Sequence, residues 1–122
     1  MFTKKVTYTD FIGNERTEEL NFHMNKAECM EFLAEHEIVK DDFKTMIMTV
    51  KELILRSYGE VSQDGRRFVK TRENQEAFYQ TEAYSTLYME FVNDENVLSE
   101  FISKVIPFDI AQKTESSDLS LV

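Results

Sequence analysis

The sequence predicts an α+β fold, in which an N-terminal antiparallel β-hairpin packs against a mostly helical domain of about five helices. Two observations favour this class. Residues 2–24 alternate apolar and polar side chains around a Gly13-Asn14 turn signal, which is typical of a hairpin with one apolar face. From residue 25 onward, apolar residues recur three and four positions apart, the spacing of amphipathic helices. Because an isolated hairpin is only marginally stable in water, we expect the helices to cover its apolar face.

The two hairpin strands are predicted from an alternation with a period of two residues. The first strand spans residues 2–9 and places Phe2, Val6 and Tyr8 on one face. The second strand spans residues 16–24, and alternate residues in it are expected to differ in burial. Its core-facing set is Glu18, Leu20, Phe22 and Met24, and its opposite face carries Thr17, Glu19, Asn21 and His23.

A short helix is predicted directly after the hairpin. Asn25 and Glu28 match a capping box, in which each side chain accepts a hydrogen bond from the backbone amide of the other residue. The helix should extend to about Glu35, and residues 36–40 should connect it to the next element. Its buried residues are expected to be Cys29 or Met30, together with Phe32 and Leu33.

A longer, central helix is predicted from Asp41 or Asp42 to about Tyr58. Gly59 follows it and suits the left-handed conformation that often closes a helix. Residues 60–70 are expected to form a small hairpin or an ordered loop around Asp64-Gly65. The apolar stripe of the central helix comprises Phe43, Met46, Ile47, Val50, Leu53 and Ile54, widened by Met48 and Leu55.

Three shorter helices complete the predicted domain. Thr71 should cap a helix over residues 72–80, and Thr81 should cap one over residues 82–92. Asn93 or Asp94 should cap a last helix, which ends before Pro107. We expect residues 1–107 to form a single domain and the polar, serine-rich residues 108–122 to form a flexible tail. The apolar stripes are Tyr84, Leu87, Tyr88 and Phe91 on the second of these helices, and Val97 or Leu98 with Phe101, Ile102 and Val105 on the third.

Composition narrows the possible functions. Fourteen Lys and Arg residues against 23 Asp and Glu residues give a net charge of −9. This excess disfavours nucleic-acid and membrane partners in the absence of a local basic patch. The lone cysteine, Cys29, excludes an internal disulfide, and no apolar run reaches the roughly 18 residues of a membrane span. Because the N-terminal residues lack the apolar stretch of a signal peptide, we expect a soluble, intracellular protein.

The sequence contains no pattern typical of a catalytic, metal or cofactor site. His23, His36 and the single cysteine do not form a zinc-binding spacing. Three isolated glycines cannot form a phosphate-binding loop. The glutamates over residues 28–37 have the spacing of a solvated helix face. We therefore expect no cofactor, and an interaction protein is favoured over an enzyme.

Some residues are candidates for contacting a protein partner. Two adjacent arginines stand out in so acidic a chain, although a solvated turn, or ion pairs with Glu60 and Asp64, would also explain them. Tyrosine suits either a core or an interface, because one end is apolar and the other polar. The five tyrosines and ten phenylalanines exceed what a small helical core needs, so some are expected to line a partner surface. The candidates are Arg66, Arg67, Phe68, Tyr79, Tyr84 and Tyr88.

Four segments carry a resemblance to a known family. They are KKVTYTDFIGNERTEEL, LRSYGEVSQDGRRFVK, QTEAYSTLYMEF and SEFISKVIP. Together they resemble the tail assembly chaperones of long-tailed phages and prophages of Gram-positive bacteria. The resemblance covers about the first 107 residues and includes no catalytic signature.

The resemblance implies a function in phage tail assembly. Such chaperones bind the tape measure protein and keep it soluble while tail tube subunits polymerise around it. The resemblance places them in the cytoplasm of the bacterial host and not in the mature virion. It also implies a C-terminally extended form, produced by a ribosomal frameshift, that recruits the tail tube protein. Self-association is expected, because many weak contacts along one tape measure chain would act together.

Two other functions remain open from the sequence. One is a structural component of the virion, such as a head–tail connector, which would be present in purified particles. The other is a small acidic regulatory protein that binds a host protein. Gene order would distinguish them, because a chaperone gene should lie between the tube gene and the tape measure gene.

Overall fold

A computed structural model describes residues 1–39 and 42–106 of the chain. The predicted α+β class, with an N-terminal hairpin and five helices, is confirmed over these residues. The expected flexible tail, Pro107 and the alternative helix start at Asp41 lie outside them. The elements are β1 (Phe2–Thr9), β2 (Glu15–Phe22), α1 (Lys26–Glu35), α2 (Phe43–Ser57), β3 (Tyr58–Val61), β4 (Phe68–Val69), α3 (Arg72–Tyr79), α4 (Glu82–Asn93) and α5 (Glu95–Val105).

The four strands form one antiparallel sheet in the order β1-β2-β3-β4. Strands β1 and β2 pair along their whole length, from Phe2 opposite Phe22 to Thr9 opposite Glu15. Strand β3 pairs with β2 only at the end of β2, where Tyr58 lies opposite Phe22. Much of the β1–β2 hairpin therefore extends beyond the third strand.

The alternation predicted for the hairpin is confirmed. Phe22 is fully buried and Leu20 is nearly so, whereas Thr17 on the other face is exposed. Tyr8 and Glu18 lie on the core-facing side near the far end of the hairpin, where Tyr8 is half-buried and Glu18 is exposed. The Tyr8 hydroxyl donates a hydrogen bond to the Glu18 carboxylate, and this bond is the main reason that the pKa of Tyr8 is raised to about 12.

The core lies between the hairpin and the helices, and Phe22 is at its centre. The Phe22 ring contacts the rings of Phe2, Tyr58, Phe78 and Phe101 at centroid distances of 6.2, 5.8, 6.1 and 5.5 Å. One residue of β2 thus joins β1, β3, α3 and α5 into a single packed unit.

The predicted helix caps are confirmed. The Asn25 side chain accepts from the Glu28 amide at 2.9 Å, and the Glu28 carboxylate accepts from the Asn25 amide at 3.0 Å. Thr71 and Thr81 cap α3 and α4 through their hydroxyl groups. At the start of α5, where two residues were possible, Asp94 is the cap.

The prediction for Gly59 is wrong. Gly59 is the second residue of β3, and it lies outside the left-handed region in which Gly13 and Gly65 are found. Its absence of a side chain serves packing, because a Cβ atom there would lie 2.6 Å from Cε2 of Phe68. Glycine therefore allows the side chains of β4 to lie against the backbone of β3.

The predicted width of the α2 stripe is also wrong at one position. Met48 is 74% exposed and lies on the outer face of the helix, whereas Leu55 is half-buried and packs against the core. In α1, either Cys29 or Met30 was expected to be buried. The structure buries Cys29 and leaves Met30 exposed.

Candidate partner-binding surfaces

The described residues offer neither an exposed thiol nor a cluster of metal ligands. The Cys29 thiol is buried, it donates to the backbone oxygen of Val105 at 3.3 Å, and burial raises its pKa. Residues 1–39 and 42–106 contain no group of three His, Cys, Asp or Glu side chains placed to hold a metal ion. No helix in these same ranges is long and apolar enough to cross a membrane.

The structure divides the six predicted partner-binding residues into two groups. Arg66, Arg67 and Phe68 lie at the connection between β3 and β4, which we call the arginine turn. Tyr79 ends α3, and Tyr84 and Tyr88 lie on α4. Among the residues that the structure describes, no hydrogen bond, ion pair or ring contact joins one group to the other.

The arginine turn has a defined conformation. The Ser62 amide donates to the backbone oxygen of Arg67, and the Gly65 amide donates to that of Ser62, both at 2.9 Å. The Asp64 carboxylate accepts from the Ser62 hydroxyl at 2.6 Å and from the Arg66 amide at 3.1 Å. These bonds lower the pKa of Asp64. Of the two predicted alternatives for residues 60–70, the structure forms the hairpin.

The two arginine side chains point into solvent. Within the described part of the chain, neither guanidinium group forms an ion pair, so the alternative of pairing with Glu60 or Asp64 is not realised. Asp64 instead bonds within the turn. Both positive charges therefore remain available on the surface.

An open pocket of about 330 Å³ lies beside the arginine turn, and we call it the basic pocket. The edge of the His23 ring meets the Phe68 ring at a centroid distance of 5.9 Å. The pKa of His23 is lowered, first by burial and then by the positive charges of the N-terminal ammonium group and Lys70. The described residues that line the pocket include no carboxylate side chain; they are Met1, His23, Val61, Gly65, Arg66, Arg67 and Phe68.

The second group forms what we call the tyrosine surface, which consists of Lys51, Tyr79, Tyr84 and Tyr88. The ring of Tyr84 lies between those of Tyr79 and Tyr88, at centroid distances of 5.0 and 6.0 Å. Lys51 Nζ lies 4.6 Å from the centroid of the Tyr79 ring, within range of a cation–π interaction. Tyr79 is 45% exposed and Tyr84 only 9%, so Tyr84 supports the surface from below.

The Tyr84 ring, which supports the tyrosine surface, is uncharged at neutral pH. Burial, followed by the neighbouring Tyr79, Tyr88 and Glu52, raises the pKa of Tyr84 to about 12. A neutral phenol is both a hydrogen-bond donor and a large apolar group. With Lys51 at its side, this surface is suited to a partner that is partly apolar and partly polar.

A third surface, at the tip of the β1–β2 hairpin, was missed by the sequence reasoning. Phe11 and Ile12 are 76% and 80% exposed, and we call them the apolar tip. The Asp10 carboxylate holds the turn by accepting from the amides of Ile12 at 3.1 Å and Asn14 at 2.8 Å. Two large apolar residues directly before the Gly13-Asn14 turn were the signal that could have revealed it.

Comparison with known proteins gives one result for this chain. A family model described as phage tail assembly chaperone matches residues 1–120, which is nearly the whole sequence. No curated protein and no solved structure matches the chain.

Proposed function

Because the chain belongs to the phage tail assembly chaperone family, we propose that it binds the tape measure protein and keeps it soluble until tail tube subunits polymerise around it. The family match over residues 1–120 is the observation that carries this proposal. A tail assembly chaperone acts in the host and outside the virion, and we place this one in the host cytoplasm. Its role is binding and not catalysis.

The tyrosine surface is the best candidate for the contact with the tape measure protein. Apolar helices commonly bind by laying one face against an apolar groove or patch of a partner. Tyr79 and Tyr88 offer rigid rings for such a contact, since Tyr84 packs between them. Met48 lies one helical turn before Lys51 on α2 and is 74% exposed, so it adds a flexible apolar side chain nearby.

A single contact of this kind would be weak. Burial of apolar area contributes roughly 25 cal/mol per Å², and much of this is offset by the freedom lost on binding. Many copies along one long tape measure chain would hold it together through multivalency. The net charge of −9 on each copy would then keep the complex soluble by mutual repulsion between complexes.

Transfer of the tape measure protein to the growing tube needs a second interaction. We propose that a C-terminally extended form, produced by a ribosomal frameshift, recruits the tail tube protein. The shorter form would then serve mainly as the solubilising partner. Western blots of infected cells with an antibody against this chain would show two products of different length if both forms exist.

Co-expression with the neighbouring tape measure gene tests the proposed function. The tape measure protein should be insoluble alone and soluble with this protein, in a complex that contains several copies of it. Replacing both Tyr79 and Tyr88 by serine should reduce the soluble fraction strongly. The matched control is Met89→Ser, because Met89 is similarly exposed at 48% but lies about 100° from Tyr88 around α4.

Three results would contradict the proposal. An insoluble tape measure protein in the presence of the wild-type chain would remove the chaperone function. Detection of the chain in purified virions by mass spectrometry would favour a connector. Equal effects of the tyrosine and Met89 variants would show that the tyrosine surface is not the contact, and thermal unfolding would confirm that each variant folds.

A further inference from the structure

Most of strand β2 has a partner strand on one side only. Strand β1 pairs with β2 along its whole length, whereas β3 pairs with it only at Asn21 and Phe22. From Glu60 onward, β3 pairs instead with β4. Within the described chain, residues 15–20 of β2 therefore form a free edge, which we call the β2 edge. All of these residues except Leu20 are exposed.

The backbone hydrogen bonds at the two ends of β2 show which groups the β2 edge offers. At one end, the His23 amide donates at 2.8 Å to the backbone oxygen of the last residue of α2, so His23 faces the β3 side. At the other end, the Asn14 backbone oxygen accepts from the Asp10 amide at 2.8 Å, so Asn14 faces the β1 side. Because these directions alternate along an antiparallel strand, Thr17 and Glu19 present their amide and carbonyl groups to the free side. Such unpaired groups are a template for a further strand.

A cleft of about 530 Å³ lies where β2 and β3 diverge, beside the β2 edge. Its described lining includes the carboxylates of Glu18, Glu19 and Glu60 and no positively charged side chain. Val61, which is 45% exposed, adds an apolar wall. The cleft therefore favours an occupant that carries positive charge on a partly apolar stem. The other lining residues are Leu20, Asn21, Tyr58 and Gly59.

The carboxylates of the cleft are not neutralised by the rest of the described protein. Glu18 accepts a hydrogen bond from the Tyr8 hydroxyl, which is a neutral group. In the part of the chain that the structure describes, Glu19 and Glu60 form no ion pair. Lys5 lies opposite Glu19 in the strand register, but the two do not form an ion pair. A cation from a partner would therefore form new charge-assisted hydrogen bonds here without breaking an existing ion pair.

We propose that the β2 edge binds an extended segment of a protein partner, rich in lysine or arginine, as an added β-strand. Backbone pairing with Thr17 and Glu19 supplies affinity, and the carboxylates of the cleft select basic side chains. Six residues at about 3.3 Å each make an edge of roughly 20 Å, which suits a segment of about six residues. A second copy is disfavoured as the occupant, because its own β2 edge carries the same negative charges.

This inference goes beyond the proposed function. The β2 edge and its cleft share no residue with the tyrosine surface. The tyrosine surface suits an apolar helix, whereas the β2 edge suits an extended basic segment. One copy can therefore hold two different kinds of segment at the same time.

Fluorescence anisotropy with labelled peptides and the full chain tests the proposal. The probe is a peptide of about eight residues, the length of β2, in which lysine alternates with threonine. It should bind, and added salt should weaken it, whereas a peptide with glutamate in place of lysine should not bind. The lysine peptide with methylated backbone nitrogens keeps its charge but loses its hydrogen-bond donors, so it should bind at least about tenfold more weakly.

Variants of the chain test the two parts of the site separately. Charge reversal by Glu19→Lys with Glu60→Lys should weaken binding of the lysine peptide at least about tenfold. The matched control is Glu37→Lys with Glu100→Lys, which changes the net charge equally at exposed residues outside the cleft and should bind like the wild type. Thr17→Pro removes an amide that faces the free side, so it should weaken binding while β1 and β2 remain paired.

Amide hydrogen exchange followed by NMR locates the bound peptide. The amides of Thr17 and Glu19 should become protected when the peptide is added. Those of Arg16 and Glu18 face β1 and should change little. This alternation distinguishes an added strand from a peptide held only by charge.

Several results would overturn the proposal. One is no binding of the lysine peptide, and another is equal binding by the charge-reversed and control variants. Equal binding of the methylated peptide would show attraction by charge alone, without strand addition. Protection of the Thr17 and Glu19 amides before any peptide is added would show that the protein itself, or a second copy, already covers the edge.

Thermal unfolding will show whether each variant folds. If Thr17→Pro does not fold, the methylated peptide tests the backbone pairing on the wild-type chain. The outcome is separable from the proposed function, because a chain that binds no basic peptide and still solubilises the tape measure protein refutes strand addition alone.

Discussion

Replacing Phe22 by alanine should lower the free energy of unfolding by about 4–5 kcal/mol, the upper part of the range for a buried phenylalanine. The upper part applies because the side chain is fully buried and its ring contacts four other rings. Such aromatic pairs contribute about 0.5–1.5 kcal/mol beyond the area that they bury. The rings around Phe22 come from four different elements, so the cavity cannot be closed by a movement of one of them.

This loss is large relative to the stability of a domain of this size. Small domains have unfolding free energies of about 5–15 kcal/mol. For a chain of this length, 1 kcal/mol corresponds to about 3–5 °C in Tm, so Phe22→Ala should lower Tm by roughly 12–25 °C. Circular dichroism at 222 nm during heating would measure the shift, since the helices dominate that signal.

Thr17→Ala is the matched control on the same strand. Thr17 lies on the opposite, exposed face, where its hydroxyl is 2.9 Å from that of Thr7. Loss of an exposed hydrogen bond and of a β-branched side chain should cost about 1 kcal/mol or less. Equal Tm shifts for Phe22→Ala and Thr17→Ala would refute the hairpin register and the core built on it.

Two further predictions concern the region where β3, β4 and α1 meet. Gly59→Ala should cost about 1–3 kcal/mol, because the new Cβ would overlap the Phe68 ring at 2.6 Å, and an unchanged Tm would show that β4 moves aside freely. Burial acts to raise the pKa of Glu28, but hydrogen bonds from Lys70 and the Asn25 amide outweigh it, so that the pKa lies below the ordinary 4.5. The Glu28 carboxylate therefore stabilises the fold above pH 4.5, and this contribution disappears as the pH falls through the lowered pKa. Glu28→Gln should accordingly be less stable than the wild type at neutral pH and closer to it well below pH 4.5, and a constant difference in Tm would contradict this assignment.

The sequence was sufficient where structure depends on neighbours along the chain. The capping box of Asn25 and Glu28 involves residues three apart, and the alternation around Phe22 has a period of two, so both could be predicted. Gly59 could not be predicted, because its role depends on Phe68, which reaches it only after β4 folds back. Met48 was misplaced because helical spacing alone does not show how far neighbouring elements extend over an apolar stripe.

The same limit applies to the candidate surfaces, because features that depend on residues distant in sequence could not be predicted. The exposure of Tyr79 and the burial of Tyr84 follow from the packing of α3 against α4, which residue type does not reveal. Arg66 was noticed for its charge, but the pocket beside it requires His23, which is distant in sequence. Phe11 escaped notice because it interrupts the alternation, and the alternation was the pattern used to find the strands.

The hairpin register links the stability of the domain to the presentation of the apolar tip. Pairing of Thr9 with Glu15 closes the ladder and leaves residues 10–14 as the turn that presents Phe11 and Ile12. A slip of one residue in β2 would turn Phe22 from the core to solvent, at a cost far greater than any surface contact could offset. The same slip would change which residues form the turn and would remove Asp10 from the position in which it holds the tip. The buried ring at one end of the hairpin therefore fixes the geometry of the exposed apolar pair at the other end, and the tip needs no further contact with the body of the domain to be presented in a single conformation.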